Sequence, residues 1–88
     1  MTVYEAVDYS RLPEHMQHAT REYVDQGRLP GGFLYEVLCN RLVSAFGHAD
    51  ATNFARMADW VGWLFNEAPQ GCWGSPEKVA VWCERVRK

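Results

Sequence analysis

No apolar run in the sequence approaches the roughly 20 residues that a helix needs to cross a lipid bilayer. The first residues also lack the basic segment followed by an apolar one that marks a secretion signal. Cysteine is scarce: Cys39, Cys72 and Cys83 are an odd number at wide spacing, which does not form a disulfide framework. We therefore expect a soluble cytoplasmic protein with no membrane partner.

Strong net charge is missing as well, since nine basic residues face eleven acidic ones and the net charge is −2. Binding of a nucleic acid polymer by bulk electrostatics needs a strongly basic face, and mimicry of nucleic acid needs a strongly acidic one. Neither class of function is expected here. Seven of the basic residues are arginines, so a local site for a phosphate or a carboxylate stays open.

The sequence contains no motif typical of a metal site or a catalytic centre. His15 and His18 are three residues apart and can share a helix face, but a structural zinc site needs four ligands with a close cysteine pair. A thiol nucleophile needs a neighbouring base, and Cys72 is the only cysteine in a predicted loop. We therefore predict no metal, no cofactor and no enzymatic activity.

What the sequence does contain is the composition of one small globular domain, with 48% hydrophobic and 14% aromatic residues in 88. Apolar residues recur at helical spacing in four segments bounded by capping or breaking residues. The predicted helices are residues 13–26, the run from Phe33 until Gly47, residues 51–67, and the stretch after Ser75. Residues 1–10 are predicted to form an extended arm or a short helical turn. We predict a single all-α domain over residues 1–88, a compact bundle or orthogonal array of about four short helices.

The third predicted helix is apolar on two sides. Its core stripe is predicted to hold Phe54, Met57, Ala58, Val61, Leu64 and Phe65, and that of the second helix includes Leu42. At 100° per residue, Trp63 points almost opposite the stripe of the third helix and Trp60 lies off its centre. Either this helix is central, with neighbours on both faces, or Trp60 and Trp63, with Arg56, form a partner-binding surface.

The loop before the last helix is a second candidate site. Free backbone donors at a helix N-terminus, together with Ser75 and Lys78, would hold an anion while Trp73 stacks on a ring. In the alternative interpretation, Trp73 packs over the end of the bundle and Ser75 caps the last helix.

Part of the sequence resembles a known group of proteins. The residues that carry the resemblance include Leu29-Pro30-Gly31-Gly32-Phe33-Leu34, Asn66-Glu67-Ala68-Pro69 and Cys72-Trp73-Gly74-Ser75-Pro76-Glu77-Lys78-Val79. Over about residues 29–82 the chain is similar to small uncharacterised proteins encoded by bacteriophages and prophages. The resemblance transfers no catalytic residue. It implies a short phage protein that acts in the cytoplasm of a bacterial host.

Two functions agree with that setting. The first is a helical protein, expected to be a homo-oligomer, that binds and inhibits a host protein such as a defence component. The alternative is a sponge for a small signalling nucleotide, held by the loop or by a groove between subunits. The first predicts exposed aromatic side chains, and the second predicts a defined pocket.

Overall fold

The computed structural model describes residues 7–87, in which all regular secondary structure is helical and no strand occurs. Six helices follow one another: α1 Glu14–Gln26, α2 Gly32–Leu38, α3 Leu42–His48, α4 Ala51–Ala55, α5 Met57–Asn66 and α6 Pro76–Arg87. The all-α class is confirmed, with more and shorter helices than expected. Of the predicted arm, residues 1–6 lie outside the described residues. Within the part that is described, no helix is long and apolar enough to span a membrane.

The first helix begins and ends, and the last helix begins, where the capping signals predict. Pro13 precedes α1, and Gly27 ends that helix in the left-handed region at φ 68°. Ser75 precedes α6, and its hydroxyl accepts a hydrogen bond from the Lys78 N–H at 3.1 Å. The two helices pack together, and the Trp82 Nε1–H of α6 donates to the Val24 carbonyl of α1 at 3.2 Å.

The second predicted helix is two helices, because the chain turns at Asn40. This residue has a φ of 62°, in the left-handed region that asparagine tolerates better than most side chains. The Asn40 N–H donates to the Val37 carbonyl and the Arg41 N–H to the Glu36 carbonyl, both at 3.0 Å. These are the two hydrogen bonds of a Schellman motif, which closes α2 before α3 starts at Leu42.

The third predicted helix is interrupted at Arg56, which leaves the helical conformation at φ −111° and ψ 24°. At its start the Asp50 carboxylate caps α4 by accepting from the Asn53 N–H at 2.7 Å, which agrees with the predicted helix start at residue 51. The Arg56 guanidinium pairs with Asp59 at 2.9 Å and also donates to the Arg11 carbonyl. The segment before α1 is thereby fastened to the start of α5.

Aromatic side chains dominate the core. The largest fully buried ones are Trp60, Trp63, Trp82 and Tyr23. The Tyr23 hydroxyl donates to the Cys72 carbonyl at 2.6 Å, which ties the loop before α6 to α1. Because each aromatic ring removes roughly 150–250 Å² from water, these four supply a large share of the burial available to a chain of this size.

Gly27→Ala should destabilise the fold by about 2–3 kcal/mol. A Cβ at this position would lie 2.7 Å from the Cys83 backbone carbonyl oxygen, and the left-handed φ would also strain it. Gly47→Ala is the control, since no atom lies within 4 Å of its Cβ position and its φ is ordinary. Urea denaturation should show the control unchanged or up to about 1 kcal/mol more stable. Equal stability of the two variants would contradict the close approach of α1 and α6.

The cap of α4 should make stability depend on pH. The hydrogen bond from the Asn53 N–H, followed by that with His15 at 3.0 Å, holds the pKa of Asp50 below its ordinary 3.8. A carboxyl whose pKa is lowered by folding stabilises the protein above the unfolded-state pKa, and this is lost as pH falls through the folded-state pKa. The melting temperatures of wild type and Asp50→Asn should therefore differ at about pH 6 and converge toward about pH 2. A difference independent of pH would contradict this role.

Candidate functional site

Five large apolar side chains are exposed on one series of consecutive helices, α3 to α5. Their exposed fractions are 59% for Leu42, 85% for Val43, 56% for Phe54, 51% for Val61 and 82% for Phe65. We call these five residues the apolar face. Exposed apolar residues that occur singly are ordinary, but grouped ones mark interaction surfaces.

Two contacts link parts of the apolar face across the helices. The rings of Phe46 and Phe54 meet edge to face with centroids 5.0 Å apart, which joins α3 to α4. Leu42 and Val61 line one shallow cavity of about 50 Å³, which joins α3 to α5. The other residues that line it are Val37, Asn40, Arg41, Ala45, Met57, Trp60 and Leu64. The face therefore combines raised side chains with a groove that accepts part of one aliphatic side chain.

The buried side of α5 is turned from the expected stripe toward the two tryptophans. Met57 and Leu64 of that stripe are buried as expected, each at 8% exposure. Phe54, Val61 and Phe65 were expected in the core and are exposed, whereas Trp60 and Trp63 are 0% exposed.

The tryptophan side is covered, because Phe33 of α2 packs on Trp60 with centroids 5.3 Å apart and Tyr9 packs on Trp63 at 5.8 Å. The helix is not covered on both faces, since its other side is exposed at Val61 and Phe65. The expectation that the tryptophan side is open to a partner is therefore wrong.

Polar contacts hold the tryptophan side in place. The Trp60 Nε1–H donates to the Asn53 side-chain carbonyl at 3.1 Å, and Asn53 is itself 2% exposed. The Trp63 Nε1 and the Tyr9 hydroxyl are buried without a hydrogen-bond partner. Arg56, the third residue of the predicted surface, is engaged with Asp59 and with the Arg11 carbonyl. Its contacts stabilise the fold.

Leu42 is a further residue of the apolar face that was expected in the core, whereas Val43 lay outside the expected stripe. Leu42 falls on the apolar stripe of a single long helix, and it leaves the core because the chain turns at Asn40. The signal was the asparagine itself, which favours a left-handed helix end.

The three candidate residues at the loop before α6 have different roles and do not form one site. Trp73 is half-buried and packs against the core, and Ser75 caps α6. Lys78 lines a cavity of about 280 Å³ with Arg85, Glu77, Gly71 and Val81. The packing and capping interpretation of Trp73 and Ser75 is therefore correct in this structure, and Lys78 alone faces a cavity with a second cation.

A larger cleft of about 600 Å³ runs along α6. The residues that line it are Leu29, Tyr35, Pro76, Val79, Ala80, Val81, Cys83, Glu84 and Arg87. The thiols are buried, and burial raises the pKa of Cys72 to about 12, which keeps that thiol protonated and weakly nucleophilic. Among residues 7–87, no three histidine, cysteine or acidic side chains are grouped closely enough to hold a metal ion.

Comparison with known proteins adds no relative. No family model, no curated protein and no solved structure matches the chain.

Trp60→Ala and Trp63→Ala should each lower the free energy of unfolding by about 3–5 kcal/mol, because each removes a fully buried indole. Phe65→Ala should change it by no more than about 0.5 kcal/mol, since that ring is 82% exposed. Urea denaturation followed by circular dichroism measures both. If Trp63→Ala were as stable as wild type and Phe65→Ala were unfolded, the orientation of α5 described here would be contradicted.

Proposed function

We propose that this protein acts by binding another protein, a component of the bacterial host cell, through the apolar face, and that binding inhibits that component. The observation that carries the proposal is the exposure of Leu42, Val43, Phe54, Val61 and Phe65 on adjoining helices. Protein interfaces have an apolar centre surrounded by a polar rim. The apolar face has this composition, since all five of its side chains are uncharged and apolar.

Charged side chains close to the same helices form ion pairs with one another. Arg41 borders the cavity and lies 3.4 Å from Glu36. A second exposed pair is His15 and Asp50, whose side chains are 3.0 Å apart at the start of α4, the helix that carries Phe54. Such exposed pairs contribute little to stability, so they are free to exchange partners at low cost when another protein docks.

The energy of docking has a clear origin. Burying a Val, Leu or Phe side chain from full exposure is worth about 1.5–3 kcal/mol, so the five together offer on the order of 5–10 kcal/mol. Association costs of about 4 kcal/mol or more oppose this gain. A partner that only touches the apolar face therefore binds weakly. We propose that a tight partner also places an aliphatic side chain in the cavity between α3 and α5, where Met57 and Leu64 would surround it.

The host setting comes from the resemblance of residues 29–82 to phage and prophage proteins. Phage proteins of this size act on components of the cell they infect, and a defence component is the target class that we propose. Inhibition requires only that this protein, when bound, covers a surface that the target needs for its activity.

One observation favours the alternative function, a sponge for a signalling nucleotide. Lys78 and Arg85 both line the cavity of about 280 Å³ beside α6, and two cations suit a phosphate. Calorimetry with a panel of cyclic oligonucleotides, using wild type and Lys78→Ala, tests it. Heat that is lost in the variant would support this function, and the absence of heat from wild type would remove it for that panel.

Val61→Glu should abolish capture of the host partner. Val61 lines the cavity, and binding would force an unpaired carboxylate into an apolar contact. Val81→Glu is a matched control, because Val81 lies on α6 and is 52% exposed against 51% for Val61. Proteins captured from bacterial lysate by wild type and by both variants are compared by mass spectrometry.

The protein identified in this way is then purified, and its Kd for each variant is measured. We expect Val61→Glu to weaken binding at least about tenfold and Val81→Glu to leave it unchanged. Retention of the same partner by Val61→Glu with unchanged affinity would refute the role of the apolar face.

A further inference from the structure

Residues 7–11 form a strap that lies against the tryptophan side of α5. The Tyr9 ring packs on Trp63 with centroids 5.8 Å apart, and the Arg11 guanidinium lies over Gly62, where a Cβ would overlap it. Tyr9 is buried, whereas the residues on either side of it are exposed. Tyr9 is therefore the main anchor of the strap.

The contact of Tyr9 with Trp63 leaves two hydrogen-bonding groups unpaired. The Tyr9 hydroxyl and the Trp63 Nε1–H are both buried and have no partner among the described residues. The two rings are tilted by 32°, and neither polar group pairs with the other. Burial raises the pKa of Tyr9 well above its ordinary 10.0, so the hydroxyl stays neutral and is a donor without an acceptor. Native structures contain few such groups, and each one needs an explanation.

Both groups gain a hydrogen bond when this contact opens. Water reaches the hydroxyl and the indole N–H only if the strap leaves α5, so closure has to offset the loss of two hydrogen bonds to water. The other buried indoles are paired, since Trp60 donates to Asn53 at 3.1 Å and Trp82 to the Val24 carbonyl at 3.2 Å. The penalty is thus confined to the one indole beneath the strap.

The strap has few attachments that resist opening. Among the described residues, one hydrogen bond joins residues 7–11 to a helix, from the Arg56 guanidinium to the Arg11 carbonyl. The Arg21 guanidinium lies over the buried ring of the strap, 4.7 Å from its centroid. Directly after the strap, Leu12 is 1% exposed and anchors the chain in the core. Opening is therefore limited to the residues before Leu12.

We infer that the strap is a conformational device that opens and closes over Trp63 while α1 to α6 stay folded. In the closed form Trp63 belongs to the core, and in the open form its indole is a surface aromatic group with a free N–H donor. Trp60 stays covered in both forms, because Phe33 packs on it from α2. Local opening of this kind needs less free energy than global unfolding where buried contacts are few. The inference does not depend on the proposed function, since Trp63 lies on the opposite side of α5 from Val61 and Phe65.

Hydrogen exchange of the indole N–H groups, followed by NMR on the full chain, tests the inference. The Trp63 proton should exchange at least about a hundredfold faster than those of Trp60 and Trp82, which need global unfolding. Addition of about 1 M urea should change the Trp63 rate by less than about twofold, because opening the strap exposes little surface. The same urea should raise the Trp60 and Trp82 rates about fivefold or more.

Two tyrosine variants carry the same chemical change and have opposite expected results. Tyr9→Phe removes an unpaired hydroxyl and stabilises the closed strap, so it should slow Trp63 exchange about threefold to tenfold. Tyr23→Phe is the matched control. Tyr23 is also buried, but its hydroxyl donates to the Cys72 carbonyl at 2.6 Å, so its loss should slow the exchange of no indole. Circular dichroism verifies that both variants are folded.

Two results would overturn the inference. If the Trp63 proton exchanged as slowly as those of Trp60 and Trp82, with the same urea dependence, the strap would not open on its own. If Tyr9→Phe accelerated Trp63 exchange, the Tyr9 hydroxyl would be paired in the closed form through an ordered water, and the penalty that favours opening would be absent.

Discussion

The burial of Trp60 and Trp63 beneath α5 is the interaction on which the rest of the structure depends. The two indoles meet edge to face with centroids 6.5 Å apart. Phe33 covers one of them, and Tyr9, from the segment before α1, covers the other. Because a helix has only one side toward a given neighbour, burying this pair turns Phe65 toward solvent. The core and the apolar face are therefore two consequences of one orientation.

The two helix breaks decide the shape of that face. The left-handed turn at Asn40 lets α3 leave the line of α2, so that Leu42 lies beside Val61 and not in the core. The break at Arg56 fixes the start of α5, where the guanidinium is joined to the Arg11 carbonyl.

The exposed apolar side chains, and not the cysteines, are the basis of the proposed function. The three thiols are buried, and burial raises the pKa of each. The proposed function uses the apolar face by burying it against a host protein, which requires complementary shape and burial of apolar area.

The sequence by itself determined the all-α class and the helix ends that carry strong local signals, Gly27 after α1, Asp50 before α4 and Ser75 before α6, because a cap acts within a few residues of its own position. Only the tertiary structure decided which side of α5 is buried. Helical periodicity shows that apolar residues lie on two sides of that helix, but both sides satisfy it equally. The side that carries the larger indoles is buried, because the fold places Phe33 and Tyr9, both distant in sequence, against Trp60 and Trp63.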